Sequence, residues 1–168
     1  MVCNLTIGKE KYKDVEEKIK EILAKSEKLR KELTILIDED TEAFNDVIKA
    51  FRMPKETDEH KKKRSNAIQE GYKTAAQVPL KTAQICTKIL DIAKVLAEKG
   101  NQNSITDAAV SALMAKAGVE SAILNVRINL GSIKDEAFVG KISNELSELE
   151  KSTERKTEDI LKIVEKAM

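Results

Sequence analysis

The residues best placed to do chemistry are those that interrupt an otherwise regular apolar pattern. Asp40 falls at the step between Leu36 and Phe44, with Leu33 and Val47 on the same face of a helical wheel. At 100° per residue, Asp38 lies about 200° away, beside Thr34, Thr41 and Asn45, so it faces a polar side. Asp40 points where a leucine is expected. A carboxylate taken out of water is costly unless paired or protonated, and desolvation moves its pKa up towards neutrality. A group that gives and takes a proton near pH 7 needs that property. The competing reading is an Asp satisfied by a neighbouring Arg, Lys or helix end, and periodicity leaves both open.

A second break in pattern follows. Asp107, Ser111, Met114, Gly118, Ala122, Asn125 and Asn129 recur at steps of four and three, a helical stripe of small and polar residues. The opposite stripe, Val110, Leu113, Ala117, Leu124 and Ile128, is apolar. Asn125 and Asn129 are one turn apart and can point into one cleft, each with an amide that donates and accepts. The stripe reads either as a polar cleft for a heterocycle or as close helix packing over Gly118 with the Asn pair bonded to backbone. Arg127 falls on another side of the helix, as an ion-pair partner.

Such residues need rigid elements to hold them. The chain has 168 residues, of which 41% are hydrophobic, with 6 Gly and 2 Pro. Turn residues this scarce argue against a sheet protein and for long helices. The breakers cluster at Pro54, at Gly100 with Asn101 and Asn103, and at Gly131 with Ser132. Four helices are predicted: Lys9 to Phe51, Thr57 or Asp58 to Lys99, Ser104 to Leu130, and Lys134 to the C-terminus. The first carries an apolar stripe of Val15, Ile19, Ile22, Leu29, Leu33, Leu36, Phe44, Val47 and Phe51, and its length leaves room for a kink. The second ends at Gly100, a natural residue past a helix end, and Pro79 inside it should free backbone groups near Ala75 and Ala76. Ser104 with Asp107 has the form of a capping box. The fourth carries Phe138, Ile142, Leu146, Leu149, Ile160, Val164 and Ala167. The expected fold is all-α, an antiparallel bundle of four or more long helices in a single domain spanning residues 1–168. Continued heptad-like spacing predicts packing against a second subunit.

Composition narrows the function classes. Thirty basic residues against 29 acidic ones give a formal charge of +1, without the electrostatic footprint of a nucleic-acid binder. No apolar stretch is expected to reach the ~18 residues of a membrane span, and no signal peptide is visible. Cys3 and Cys86 are too few for a zinc site or a disulfide framework, and free thiols suggest the cytoplasm. A single histidine, His60, argues against a His-based catalytic or metal site. The run Lys61–Arg64 reads as a solvated face, with anion contact by one member as the sharper reading.

These residues sit in longer strings: Asn4-Leu5-Thr6 with Gly8-Lys9, Leu36-Ile37-Asp38-Glu39-Asp40-Thr41-Glu42-Ala43-Phe44, Pro54-Lys55, Ala67-Ile68-Gln69-Glu70-Gly71, and Val78-Pro79-Leu80. Gly100-Asn101 with Thr106-Asp107, and Asn125-Val126 with Ile128-Asn129-Leu130, complete the set. In this order and spacing the chain resembles the cyclodeaminase/cyclohydrolase family of tetrahydrofolate enzymes. The resemblance implies an all-helical homodimer with its folate site near the subunit interface. It implies chemistry at the one-carbon bridge between N5 and N10, by cyclodeamination of the 5-formimino form or hydrolysis of the 5,10-methenyl form. No metal or cofactor beyond the tetrahydrofolate substrate is implied. In the family's Asp-x-Asp-x-x-Ala-Phe string the second Asp is the proposed catalytic residue, which here is Asp40. Asn101, Asp107, Asn125 and Asn129 become candidates for substrate binding, and Lys9, Lys55 and Arg64 for the carboxylates of the folate tail. Against this, the family's N-terminal Gly-rich segment has no counterpart in the chain. That sustains an alternative, a helical interaction module or an inactive, shortened relative.

Overall fold

The structure, a computed structural model, describes residues 1–168. It is all-helical: α1 (Val2–Thr6), α2 (Glu16–Phe51), α3 (Asp58–Lys99), α4 (Ile105–Leu130) and α5 (Glu136–Ala167). Short 3₁₀ turns at Glu10–Val15 and Gln102–Ser104 lead into α2 and α4. α3, α4 and α5 stand close to where the breakers place them, whereas α2 begins at Glu16 and not at Lys9, because a 3₁₀ turn over Glu10–Val15 takes the place of its expected first turns. α2 runs unbroken for 36 residues, without the kink its length allowed. Its only irregularity is upstream, in the 3₁₀ turn at Tyr12.

Local chemistry explains most of the ends. Thr57 caps α3 by accepting the His60 amide at 3.1 Å, and Asp135 caps α5 by accepting the Phe138 amide at 3.0 Å. The capping box at Ser104 does not form. Its hydroxyl donates to the Asn101 carbonyl at 3.0 Å, because a 3₁₀ turn replaces the usual helix entry. Gly100 does end α3, but in extended rather than left-handed backbone. It is a glycine for lack of room, since a Cβ there would lie 2.5 Å from the Leu96 carbonyl oxygen and 2.8 Å from Val2 Cγ1.

α3 is the central column, and α2, α4 and α5 all pack against it. α2 and α4 run antiparallel to α3: Val47 meets Gly71, and Cys86 meets Gly118. One core joins α1, α2, the C-terminal part of α3, the start of α4 and the end of α5 around Ile19, Leu29, Leu90, Ala112 and Ile160. A second joins the middle of α3, the end of α4 and the start of α5 around Leu80, Val119, Ile123 and Leu146. On α2 the core takes Ile19, Ile22, Leu29, Leu36, Ala43, Val47 and Ala50. Phe44 and Phe51, assigned above to the inward stripe, are exposed, and the small Ala43 and Ala50 take the inward positions beside α3.

α4 departs most from expectation. It buries its small residues, Ala108, Ala112, Ala115, Val119, Ala122 and Val126, which lets it lie close to α3. Ile105, Ile123 and Leu130 are buried with them, whereas Val110, Leu113, Met114, Leu124 and Ile128 are exposed, Ile128 at 73%. Contrary to the expectation from sequence, the span Gln102–Leu130 is long and apolar enough by composition to cross a membrane. Here it packs on α3 and α5 with one apolar side left uncovered.

Candidate functional site

Between α2 and α4, over the floor made by α3, runs a groove with a succession of hollows. One of about 480 Å³ is walled by Leu33, Leu36, Ile37, Asp40 and Thr41 of α2 and by Gly118, Ser121, Ala122 and Asn125 of α4. Val78, Pro79 and Thr82 form its floor. A neighbour of about 300 Å³ is lined by Asp40, Phe44, Val47, Ile48, Phe51, Tyr72, Ala75, Asn125 and Asn129. Asp40 and Asn125 line both, so a carboxylate and a carboxamide from separate helices stand at the junction. The volumes suit a heterocyclic ligand, as does the mixture of apolar walls with few polar groups.

Asp40 reaches the groove because the apolar wheel of α2 continues past Leu36, as the spacing requires. Its environment differs from the expected one. Asp40 is exposed, not buried, because nothing in this chain covers the groove above it. Any desolvation of its carboxyl has to come from what fills or covers the groove.

The aromatic end of the smaller hollow was not anticipated as part of a site. Phe51 and Tyr72 meet edge to face with ring centroids 6.2 Å apart. Asp40, Phe44, Ile48 and Phe51 follow steps of four, four and three, so the pattern was present in the sequence. Of these, the expected apolar stripe takes Phe44 and Phe51 as core residues, and both are exposed.

Asn129 donates its amide nitrogen to the Ala75 carbonyl at 3.0 Å and to the Asn125 carbonyl at 2.9 Å. Ala75 is the residue four before Pro79, so the backbone group freed by the proline is taken up by a side chain of the site. Gly118 allows α4 to come this close, since a Cβ there would lie 2.9 Å from Cys86 Sγ. Burial pushes the Cys86 thiol up, keeping it neutral behind the cavity wall.

Other candidates lie elsewhere. Asp107 lines a separate hollow of about 520 Å³ beside Met1–Asn4, which touches the Asp40 hollow through Leu33. Asn101 is engaged in architecture: its backbone amide donates to Thr6 Oγ1 at 2.9 Å and its side-chain nitrogen to the Leu5 carbonyl at 2.7 Å. It pins α1 to the α3–α4 connection and does not line the groove. Lys9 precedes α2, about 36 Å along that helix axis from Asp40 or more, so it cannot serve the same chain's Asp40 hollow. Arg64 donates to the Phe51 carbonyl at 3.2 Å and stands over the Phe51 ring, 5.5 Å from its centroid, buttressing the aromatic wall. Lys55 is exposed in the connection just after that wall.

Comparison with known proteins bears on this arrangement. The family model described as formiminotransferase-cyclodeaminase matches residues 1–148. A methenyltetrahydrofolate cyclohydrolase of Methylorubrum extorquens is 50% identical over 149 residues, covering 89% of this chain and 72% of that protein. A formimidoyltransferase-cyclodeaminase of Mus musculus is 32% identical over 89% of this chain, which spans only 28% of that longer protein. The crystal structure of a formiminotetrahydrofolate cyclodeaminase from Thermotoga maritima superposes with a TM-score of 0.88 at 32% identity, covering 98% of this chain and 78% of that one. By the extent of the family match and these identities, the chain belongs to the formiminotransferase-cyclodeaminase family.

Proposed function

We propose that this chain acts on the one-carbon bridge between N5 and N10 of a tetrahydrofolate derivative, with Asp40 as general acid and base. The observation that carries this reading is the position of Asp40, facing Asn125 at the junction of two hollows in a family member. Of the two reactions known by name among the relatives, hydrolysis of 5,10-methenyl-tetrahydrofolate to the 10-formyl form is favoured. The relative sharing half its residues bears the cyclohydrolase name, and the cyclodeaminases share about a third.

The chemistry fits one carboxyl group. Asp40 takes a proton from water as its oxygen attacks the cationic bridge carbon. It then gives that proton to N5 as the C–N5 bond breaks, and the hydroxyl proton of the intermediate leaves to solvent as the formyl group forms. The carboxylate also favours the cationic substrate, and the Asn125 amide can donate to the oxygen of the tetrahedral intermediate. Lys55 and Arg64, at the aromatic end, are the retained candidates for the folate carboxylates.

The groove above Asp40 is open in the single chain, and a homodimer is the proposed cover. The outward stripe of α4, with Ile37 and Phe44 of α2 across the groove, is an apolar surface that a second copy would bury. The same surface supports the alternative of a helical interaction module without turnover. Assays with both substrates separate the readings. Loss of methenyl-tetrahydrofolate, or ammonia release from the formimino form, above the uncatalysed rate supports the enzyme. Rates at background for both leave the interaction module.

A further inference from the structure

Pro79 sits buried in the middle of α3, where it has no amide hydrogen to give the Ala75 carbonyl and its ring crowds that carbonyl outwards. The side-chain nitrogen of Asn129 supplies the missing donor at 3.0 Å and reaches the Asn125 carbonyl at 2.9 Å. Both partners are backbone carbonyl oxygens, which only accept, so the identity of the bonded amide atom is fixed by chemistry. The nitrogen is committed to protein on both hydrogens. What Asn129 has left for the hollow it lines is Oδ1. Asn125, one turn earlier, has no such commitment and can turn either edge of its amide to the groove.

We propose that the proline-orphaned carbonyl of Ala75 locks the Asn129 amide so that it presents an acceptor, not a donor, to the bound molecule. Asn129 is then a specificity-determining residue that selects the N–H-bearing edge of a heterocycle. Pro79, which lines the adjoining hollow but not the one that Asn129 lines, is the positioning residue that sets it. This rests on the folate reading above only for the identity of the heterocycle. The lock itself is a property of the ligand-free chain.

Two measurements test it. In a kinetic cycle of wild type, Pro79→Ala, Asn129→Ala and the double variant, Asn129→Ala should raise KM about tenfold with kcat within about twofold, the loss of one ground-state hydrogen bond. Pro79→Ala should raise KM by a smaller factor, and the double variant should be no worse than Asn129→Ala, because no amide remains to be oriented. Effects that multiply in the double variant, or an unchanged KM in Asn129→Ala, overturn the proposal. The second measurement is nuclear magnetic resonance of the ligand-free protein, with the Asn129 side-chain signals assigned by their loss in Asn129→Asp. The Asn129 amide protons should exchange with solvent more slowly than those of Asn125, and Pro79→Ala should reduce that difference. Equal exchange at the two residues in the wild type overturns the lock. A failure of the folate reading would show instead as slow Asn129 exchange in a protein with no turnover.

Discussion

Filling the gap at Gly118 gives a prediction that can be worked from distances. An alanine methyl there would stand 2.9 Å from Cys86 Sγ and 3.7 Å from its Cβ, closer to sulfur than packed atoms come. Cys86 is buried with Ala83, Val119 and Ala122 in the second core, so the sulfur has to shift among packed neighbours. Replacing a helical glycine by alanine stabilises by about 1 kcal/mol through propensity, and overpacking costs about 1–3 kcal/mol. Gly118→Ala should therefore lie between neutral and about 2 kcal/mol destabilised. Cys86→Ala alone should cost roughly 1–2 kcal/mol, the loss of one buried heavy atom and the space it leaves. In the double variant the new methyl occupies the vacated space. Its stability should exceed the sum of the single changes by about 1 kcal/mol or more. Urea denaturation followed by circular dichroism, at one protein concentration throughout, reads these values. Additivity within about 0.5 kcal/mol would refute the contact and with it the close α3–α4 approach that floors the site.

Two further predictions concern the surface and the caps. Leu124→Glu with Ile128→Glu should dissociate the proposed homodimer into monomers in sedimentation velocity, with helicity unchanged; an unaltered oligomer would place the interface elsewhere. Asp135 is held below the usual carboxylate range, first by the Phe138 amide it caps and then by Lys73. A folded pKa below the unfolded one contributes stability present above the unfolded value and lost as pH falls through the folded value. Asp135→Asn should thus lower Tm at neutral pH, and the gap from wild type should close in acid. A gap that is constant with pH would contradict this.

The helices were legible because breakers are few and clustered, and a 3.6-residue period is easily read over spans this long. Errors came where burial is decided between helices. The wheel of α2 could not separate Phe44 from Ala43, since choosing between adjacent residues requires knowing how near α3 lies, and Gly71 against Val47 shows that it lies very near. For α4 the spacing left the small-residue stripe open to two readings; close packing over Gly118 with Asn129 bonded to backbone is seen, and it leaves Val110, Leu113, Leu124 and Ile128 facing out. Asp40 was found because it occupies a leucine position, but its exposure depends on what covers the groove, which no periodicity encodes. The backbone group freed by Pro79 was predicted from the sequence; that Asn129 would meet it depended on the register between α3 and α4. Asn101 and Lys9 were placed by strings of residues alone, and their neighbours show how a matching string can serve architecture.

The central claim, that Asp40 moves the proton at the one-carbon bridge, is tested by single-turnover loss of 5,10-methenyl-tetrahydrofolate in wild type and Asp40→Asn. The substitution keeps the size of the side chain and removes its proton chemistry. The rate constant at saturation should fall by about 10²-fold or more, with substrate affinity within a few fold and helicity unchanged. A variant that turns over at the wild-type rate would contradict the account.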